Sequence, residues 1–348
     1  MGQYDLAQII EKGRDAFEAR QRERFGERYA AYRTLWYTPW KDLGPELEFP
    51  LYITIETAFS CNLKCVSCIH GEHCQDIEAE MAAKYDQGIM PRHILDAILE
   101  QAAKYRLPSI GLNWLGEPTL ARDIAERIKL CVDAGIMDVL MTTNATMLTA
   151  DLARRVIAAG LTHLLFSVDA ATPETYALVR KGGNWDTVNA NIRRFRDIRQ
   201  EMTGGVMPRT RASLVPSRHN VHEARAFVEA FKDVVDYVEI QPFYKVYDRL
   251  DPIIPPGAVN KPMVCEEVFK KLTIDSKGDV HPCCSIYGRN IVLGNVLTDD
   301  LRDIFVNSPL LRQIRADVRA GAYSHKECKA CGQSFFVVKL PEGGEVKA

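Results

Sequence analysis

The sequence lacks an apolar run long enough to cross a lipid bilayer, and it lacks an excess of either charge. Its 44 lysine and arginine residues face 46 aspartate and glutamate residues, which gives a net charge of -2. This balance argues against a nucleic-acid partner and against an anionic membrane surface. Residues 1–5 begin neither a basic nor an apolar segment, so no secretion signal is predicted and we expect a cytoplasmic protein.

Internal repeats and low-complexity stretches are also missing, but cysteine is not, because the chain has ten. In a reducing cytosol, cysteines more often bind metal or do chemistry than form disulfides. The 348 residues are enough for two ordinary domains, or for one large α/β domain with an appendage.

Strand and helix patterns alternate from residue 51 onward. Six apolar segments with helical patterns between them are predicted as strands, at residues 51–55, 109–112, 138–141, 163–168, 210–215 and 235–240. This alternation predicts a parallel sheet, and right-handed crossovers would curl that sheet into an open barrel. The fold class is thus α/β, with chemistry expected at the carboxyl ends of the strands.

Four segments are predicted along the chain. Residues 1–50 form a helical N-terminal extension, for which packing on the main domain is favoured over a lid or a contact with a partner protein. Residues 51–242 form the barrel, and the proline-rich residues 243–262 form a linker. Residues 263–348 form a small domain that begins with a hairpin turning at Gly278.

Three cysteines follow the first predicted strand with C-x3-C-x2-C spacing: Cys61, Cys65 and Cys68. Three thiolates on so short a loop can hold three irons of a [4Fe–4S] cube and leave the fourth iron without a protein ligand. An open iron can bind a substrate or a cofactor. A structural zinc ion would need a fourth ligand, for which His70 or His73 is the alternative.

A second group of cysteines lies near the C-terminus: Cys265, Cys283, Cys284, Cys328 and Cys331. The segment from Gly278 to Cys283 has the form G-x4-C, and the last two cysteines form a C-x2-C pair. Four thiolates can close either an iron–sulfur cluster or a tetrahedral zinc site, so both alternatives stay open on spacing alone.

Other strand-end segments accompany the first cysteine motif: Leu115-Gly116-Glu117-Pro118, Thr142–Asn144, Ser167–Tyr176 and Val238–Pro242. Taken together, they resemble the radical S-adenosylmethionine (SAM) superfamily over residues 51 to about 332, with leucine replacing the first glycine of that family's GGEP segment. The resemblance implies a partial (β/α)6 barrel in which Cys61, Cys65 and Cys68 bind a [4Fe–4S] cluster that contacts SAM. The SAM contacts it implies are Gly116, Glu117, Pro118, Asn144, Ser167, Asp169, Arg180 and Gln241.

The C-terminal cysteines resemble the SPASM/twitch extension of the same superfamily, which holds auxiliary iron–sulfur clusters. No cysteine follows Cys331, so the shorter twitch version with one auxiliary [4Fe–4S] cluster is implied. The implied ligands are Cys265, Cys283, Cys328 and Cys331, with Cys284 as the alternative to Cys283. Four thiolates would close this cluster, which suits it to passing electrons.

The resemblance also implies an activity. In this superfamily an external one-electron donor such as flavodoxin or ferredoxin reduces the cluster, and SAM is cleaved to a 5′-deoxyadenosyl radical that abstracts hydrogen from a carbon. One closed auxiliary cluster favours a small polar substrate of the sugar, nucleoside sugar acid or aminocyclitol type. Dehydrogenation, decarboxylation or epimerisation in natural-product biosynthesis, including antibiotic biosynthesis, is then expected.

The alternative is a peptide-modifying enzyme, namely a maturase, an epimerase or a thioether-forming enzyme acting on a ribosomal peptide. No catalytic acid or base is assigned, and the oligomeric state is not predicted. The polar candidates for substrate binding at strand ends are Asn113, Asn144, Arg211, Arg218, Gln241 and Lys245.

Overall fold

The structure is a computed structural model, and it describes residues 7–39, 41, 47–84, 88–245 and 248–338. Parts of the predicted N-terminal extension, at residues 1–6 and 42–46, lie outside the described residues. The last ten residues of the predicted small domain, 339–348, also lie outside them.

A ten-stranded sheet is the main feature of the fold. Its strands are β1 (Ala7–Glu11), β2 (Tyr52–Ile55), β3 (Ser109–Gly111), β4 (Asp138–Thr143), β5 (His163–Ser167), β6 (Arg209–Leu214), β7 (Tyr237–Ile240), β10 (Lys271–Ile274), β11 (Asp279–His281) and β12 (Gly294–Asn295). They are hydrogen-bonded in the order β1-β7-β6-β5-β4-β3-β2-β10-β11-β12. Strands β2 to β7 are all parallel, which confirms the six predicted strands.

Helices precede, connect and follow the strands of the sheet. They are α1 (Arg14–Phe25), α2 (Glu27–Tyr37), α3 (Gln75–Lys84), α4 (Arg92–Tyr105), α5 (Ile124–Asp133), α6 (Ala150–Ala158), α7 (Pro173–Val179), α8 (Trp185–Thr203), α9 (Ala224–Phe231), α10 (Glu267–Lys270), α11 (Leu301–Asn307), α12 (Pro309–Arg319) and α13 (Lys326–Gly332). Helix α4 shows why they pack against the rest of the chain, since Ile94, Leu95, Ile98, Leu99 and Ala102 recur at helical spacing and are buried.

The sequence predicts a helical N-terminal extension, but residues 7–11 form strand β1 instead. This strand pairs antiparallel with β7, Ala7 opposite Ile240 and Glu11 opposite Tyr237. The outer edge of β7 would otherwise expose a row of unpaired N–H and C=O groups. The hydrogen bonds formed with the edge of β7 stabilise a strand here more than the helical preference of this short segment, which ends at Gly13, stabilises a helix.

Helices α1 and α2 pack against the amino ends of the parallel strands. The Phe17 ring lies 4.8 Å from that of His163, and Gln21 Nε2 donates to Asp138 Oδ1 at 3.0 Å. Burial raises the pKa of Asp138 to about 6 and lowers that of His163 to about 3. In the described part of the extension, these helices therefore lie at the end of the barrel opposite the expected chemistry.

The C-terminal hairpin extends the barrel sheet. Strand β10 pairs parallel with β2, Leu272 opposite Ile53, and turns at Gly278 into β11 as predicted. A separate three-stranded sheet places β13 (Phe335–Val337) between β8 (Phe243–Tyr244) and β9 (Val259–Asn260). The segment predicted as a linker thus pairs, through β8 and β9, with the strand at the C-terminal end of the described chain. No helix within the described ranges is both long and apolar enough to cross a membrane.

Candidate functional site

The first three-cysteine loop lies at the carboxyl end of β2. Cys65 is buried, and Cys61 and Cys68 are partly buried. Arg180 Nη1 donates to Cys65 Sγ at 3.5 Å, and Asn144 Nδ2 reaches Cys61 Sγ at 3.9 Å. Donors therefore approach this loop from the strands that follow, as expected for sulfurs that carry negative charge.

The thiols of this loop are costly to ionise without a cation. Burial, with the neighbouring Cys65 sulfur, raises the pKa of Cys68 to about 12 and also raises the pKa of Cys61. Bound metal replaces the thiol protons and stabilises the thiolates. Their chemistry and shared loop fit an iron–sulfur cluster.

The two histidines that the zinc alternative offers as a fourth ligand face another loop or solvent. Among the described residues, no group of three or more His, Cys, Asp or Glu side chains is pre-arranged around one metal position, which holds for zinc and for iron–sulfur alike. His70 is fully buried and turned to the next loop, where its Nε2 lies 3.1 Å from Leu115 O. His73 is exposed.

The loop after β3 packs on the cysteine loop through Gly116. A Cβ at this position would lie 2.2 Å from Ala58 O and 2.6 Å from both Phe59 O and Ser60 O. The next amide, Glu117 N, donates to Ser60 O at 3.0 Å. Only glycine lets the two loops approach so closely.

The carboxylate of Glu117 accepts hydrogen bonds from other groups of the same chain. Oε1 accepts from Thr119 N, Thr119 Oγ1 and Thr143 Oγ1, and Oε2 accepts from Asn144 N at 2.8 Å. A carboxylate offers about four lone-pair sites, so little capacity is left for a ligand. Burial raises the pKa of Glu117.

Asp169 and Arg180 meet beside the cysteine loop. Arg180 Nη2 lies 2.6 Å from Asp169 Oδ2, and Asp169 Oδ1 accepts from Val215 N at 2.8 Å. Asp169 has a φ of 62°, a strained conformation for a residue with a side chain. Ser167, two residues earlier, lies opposite Ser213 on β6. Asp169 and Arg180 are thus in direct contact, and Ser167 lies two residues before Asp169 at the carboxyl end of β5.

A third polar group lies on the last parallel strands. Arg211 Nη1 is 2.6 Å from Glu239 Oε2, and Gln241 Nε2 donates to the same oxygen at 2.8 Å. In the described part of the chain no donor is hydrogen-bonded to Glu239 Oε1. The sequence prediction missed Glu239, although two-residue alternation places it on the same face as Gln241.

The other predicted polar candidates lie elsewhere or have structural partners. Asn113 Oδ1 accepts from Thr142 N at 2.8 Å, which joins β3 to β4. Arg218 is exposed. Lys245 forms ion pairs with Asp248 and Asp251 at 2.8 and 2.9 Å. None of these three joins the group around Glu239.

A cavity in the C-terminal part of the chain is lined by four cysteines. They are Cys265, Cys283, Cys328 and Cys331, with apolar walls that include Val268, Ile314 and Val318. Burial raises the pKa of Cys265 to about 12 and that of Cys328 to about 11, so a cation is again needed for thiolates. Cys284 is exposed and does not line this cavity; its Sγ lies 3.8 Å from Glu267 Oε2.

Comparison with known families defines the class of protein. Residues 55–210 match the radical SAM superfamily, and residues 265–332 match SPASM, an iron–sulfur cluster-binding domain. The chain belongs to the radical SAM superfamily and is a radical SAM enzyme with a SPASM domain. Its radical SAM domain binds a [4Fe–4S] cluster and SAM, and its SPASM domain is of the kind that binds auxiliary iron–sulfur clusters. The expected fold class and cofactors are thereby confirmed.

Particular relatives span most of the chain. Mycofactocin maturase MftC of Mycobacterium ulcerans (strain Agy99) is 24% identical over 323 residues, 82% of this chain and 81% of the relative. The structure of Streptococcus suis SuiB bound to precursor peptide SuiA is 20% identical, with a TM-score of 0.58 over 83% and 71% of the two chains. That of BtrN in complex with AdoMet and 2-DOIA is 16% identical, with a TM-score of 0.53 over 82% and 92%. These two structures share the fold.

Proposed function

We propose that this radical SAM enzyme modifies a residue within a peptide. The observation that supports the proposal is the similarity to the maturase MftC, which extends over similar shares of both chains. A neighbour in fold, SuiB, binds a precursor peptide. The sequence favoured a small polar substrate, and these comparisons support the peptide alternative better.

In the proposed site, Cys61, Cys65 and Cys68 hold the cluster that contacts SAM. When bound, the reduced cluster and SAM supply a 5′-deoxyadenosyl radical, which takes a hydrogen atom from a substrate carbon. The backbone of Gly116 and Pro118 is proposed to face the amino group of SAM. The internal hydrogen bonds of Glu117 hold that loop in place. A loop that packs this tightly on the cysteines holds its carbonyls in place before the cofactor arrives.

The remaining SAM contacts are proposed from the later strand ends. Asn144 already turns its amide towards Cys61, and Arg180 stands between Cys65 and Asp169. The Arg180 guanidinium has the donors needed for a carboxylate of SAM. Ser167 and Gln241 are proposed to face its ribose and adenine ends.

Arg211 and Glu239 are proposed to bind the substrate, beside Gln241 at the adenine end of SAM. Arg211 and Gln241 both contact Oε2 of Glu239, which leaves Oε1 to accept a hydrogen bond. An amide N–H of a peptide is a suitable donor for it. A buried carboxylate that is held from one side can fix the orientation of a substrate without taking part in proton transfer.

The auxiliary cluster is proposed to be single and closed by Cys265, Cys283, Cys328 and Cys331, which line one cavity. With no iron free for a ligand, it would take an electron from a substrate radical. This arrangement also supports the second candidate, oxidation of a small polar alcohol to a ketone. In this oxidation the 5′-deoxyadenosyl radical takes one hydrogen atom from the carbon, the closed cluster accepts the second electron, and the hydroxyl proton is released.

The discriminating experiment follows hydrogen into 5′-deoxyadenosine. The chain is reconstituted anaerobically with iron and sulfide, then supplied with SAM, reduced flavodoxin and a deuterated substrate candidate. One arm uses synthetic peptides encoded beside the gene, and the other uses deuterated sugars and aminocyclitols. Deuterium transfer and a change in peptide mass support the proposal, whereas transfer only from a small molecule favours the second candidate. If eight irons are bound and no 5′-deoxyadenosine forms, both fail.

A further inference from the structure

A fully buried ion pair joins the radical SAM domain to the SPASM domain. Glu56 follows β2, and Arg289 lies in the short helical turn Tyr287–Asn290 after the second cysteine loop. Arg289 Nη1 is 2.5 Å from Glu56 Oε1, and Nη2 is 2.8 Å from Oε2. Neither side chain is exposed to solvent. Asp275, 3.9 Å from Nη2, adds a second carboxylate to the same guanidinium.

The guanidinium of Arg289 also contacts two aromatic rings. It lies 4.6 Å from the ring of Trp114 and 5.0 Å from the ring of Phe59. The indole of Trp114 extends further, because its Nε1 donates to Cys284 O at 2.7 Å and its ring lies 5.2 Å from His281. One cation thus holds aromatic residues from two loops of the radical SAM domain.

These contacts lie directly beside the cofactor loops. Phe59 comes two residues before Cys61, and Trp114 comes two residues before Gly116. On the other side, a Cβ at Gly288, the neighbour of Arg289, would lie 2.6 Å from Cys283 Sγ. A shift of Arg289 would therefore displace the first cysteine loop, the Gly116 loop and the auxiliary cysteine loop together.

Stability alone does not explain such a pair. Removing two charges from water costs several kcal/mol, and apolar replacements of similar volume often give an equally stable protein. What the pair adds is a fixed bidentate geometry between two domains. We propose that Glu56 and Arg289, acting through Trp114 and Phe59, are positioning residues that set the Gly116 loop, and hence bound SAM, relative to the auxiliary cluster. This inference rests on the proposed SAM contacts at Gly116.

The test is the double variant E56Q/R289M, which removes both charges and keeps the side-chain volumes similar. The dissociation constant of SAM is measured on the reconstituted, reduced protein by titrating SAM against the EPR signal of the first cluster. We expect about eight irons per chain and a lowered urea unfolding midpoint, because Asp275 loses a cation, together with SAM binding weakened at least tenfold. The auxiliary cluster's EPR spectrum should also change, since Trp114 no longer fixes the carbonyl of Cys284.

The matched control is R199M/D236N, which removes another buried bidentate pair. Arg199 and Asp236 lie 2.5 and 2.8 Å apart across two contacts, between α8 and the amino end of β7. Loss of that pair should lower the unfolding midpoint and leave SAM affinity and both EPR spectra unchanged. A purely structural role for Glu56 and Arg289 would give the same result in both double variants.

Two further variants keep the inference testable if E56Q/R289M does not fold. R289K retains the charge without the fork, and W114F removes the indole N–H donor and replaces the indole by a smaller ring. Each should weaken SAM binding about threefold. Wild-type affinity in the folded E56Q/R289M variant, or in both single variants, overturns the inference. Failure of the wild type itself to bind SAM with eight irons present would instead overturn the proposed cofactor site.

Discussion

Arg180 is shared between a thiol and a carboxylate, since its Nη2 lies 2.6 Å from Asp169 Oδ2 and its Nη1 lies 3.5 Å from Cys65 Sγ. Both charged side chains are largely buried, with 13% and 6% of their surfaces exposed. The guanidinium is thereby fixed beside the cysteine loop before any ligand binds. Its orientation depends on the charge of Asp169, which leads to the first prediction.

Replacing Asp169 with Asn should destabilise the chain and weaken SAM binding. Asparagine keeps the Oδ1 acceptor for Val215 N but leaves the buried cation of Arg180 without its counter-charge. We expect a loss of roughly 3 kcal/mol in unfolding free energy and SAM binding at least tenfold weaker, measured by urea unfolding and by EPR titration. The control is Asp151→Asn, whose partner Arg155 is exposed, and it should change stability by less than about 0.5 kcal/mol. Equal effects in the two variants would contradict the assigned role.

The auxiliary ligand set can be tested by iron analysis. Cys283 lines the four-cysteine cavity, whereas its neighbour Cys284 is exposed outside it. After reconstitution, Cys283→Ala should retain about four irons per chain, and Cys284→Ala about eight. The reverse result would show that Cys284 is the ligand, and full occupancy in both variants would show that either sulfur can serve.

The elements predicted best from the sequence are those with strong local patterns. The six parallel strands and the hairpin at Gly278 follow from apolar runs and turn residues, and the cysteine loops follow from their spacing. Strand β1 was missed because its pairing with β7 joins residues more than 220 positions apart. The pairing of β10 with β2 is equally non-local, so the continuity of the sheet between the two domains had no local signal.

The site shows the same division. Asp169 and Arg180 were both predicted, but their direct contact was not, because each was assigned to SAM separately. Glu239 and the pair of Glu56 with Arg289 carry no motif, and only the fold brings their partners together. Glu117 was predicted as a SAM contact, but its four internal donors, from the turn at Thr119 and the end of β4, were not predicted because they depend on tertiary packing.

The stability of the folded chain should depend on pH through Asp138, which lies at the amino ends of the parallel strands, beneath helices α1 and α2. Its folded pKa of about 6 lies above the ordinary value of 3.8, so between these values the folded chain binds a proton that the unfolded chain does not. Its contribution to stability is therefore present at low pH and is lost as the pH rises through 6. Relative to Asp138→Asn, wild type should gain about 1 kcal/mol between pH 7 and pH 5.

The measurement is anaerobic urea unfolding of both proteins at several pH values. His163, whose folded pKa is lowered to about 3, titrates in the opposite direction, and it is present in both proteins. Its effect cancels in the difference between wild type and variant, because the two positions lie on separate strands and keep their own contacts. A difference that does not change with pH would contradict the burial of an ionisable Asp138.

Replacing Glu117 with Gln should disturb the cysteine loop from a distance. Glutamine can accept from Thr119 and Thr143 through its oxygen, but its NH2 group then faces the amide of Asn144, and two donors oppose each other. The expected loss is about 2 kcal/mol in unfolding free energy. Because Asn144 also donates to Asn62 within the cysteine loop at 2.9 Å, iron content after desalting should fall as well.

Glu126→Gln provides the control for this last prediction. Glu126 is 60% exposed and pairs with Arg92 on the surface, so its loss should leave stability and iron content unchanged. If Glu117 bound SAM directly, Glu117→Gln would instead keep wild-type stability and iron content and lose only SAM affinity. The unfolding midpoint, iron count and SAM dissociation constant of the same preparation therefore separate a residue that supports the loop from one that touches the cofactor.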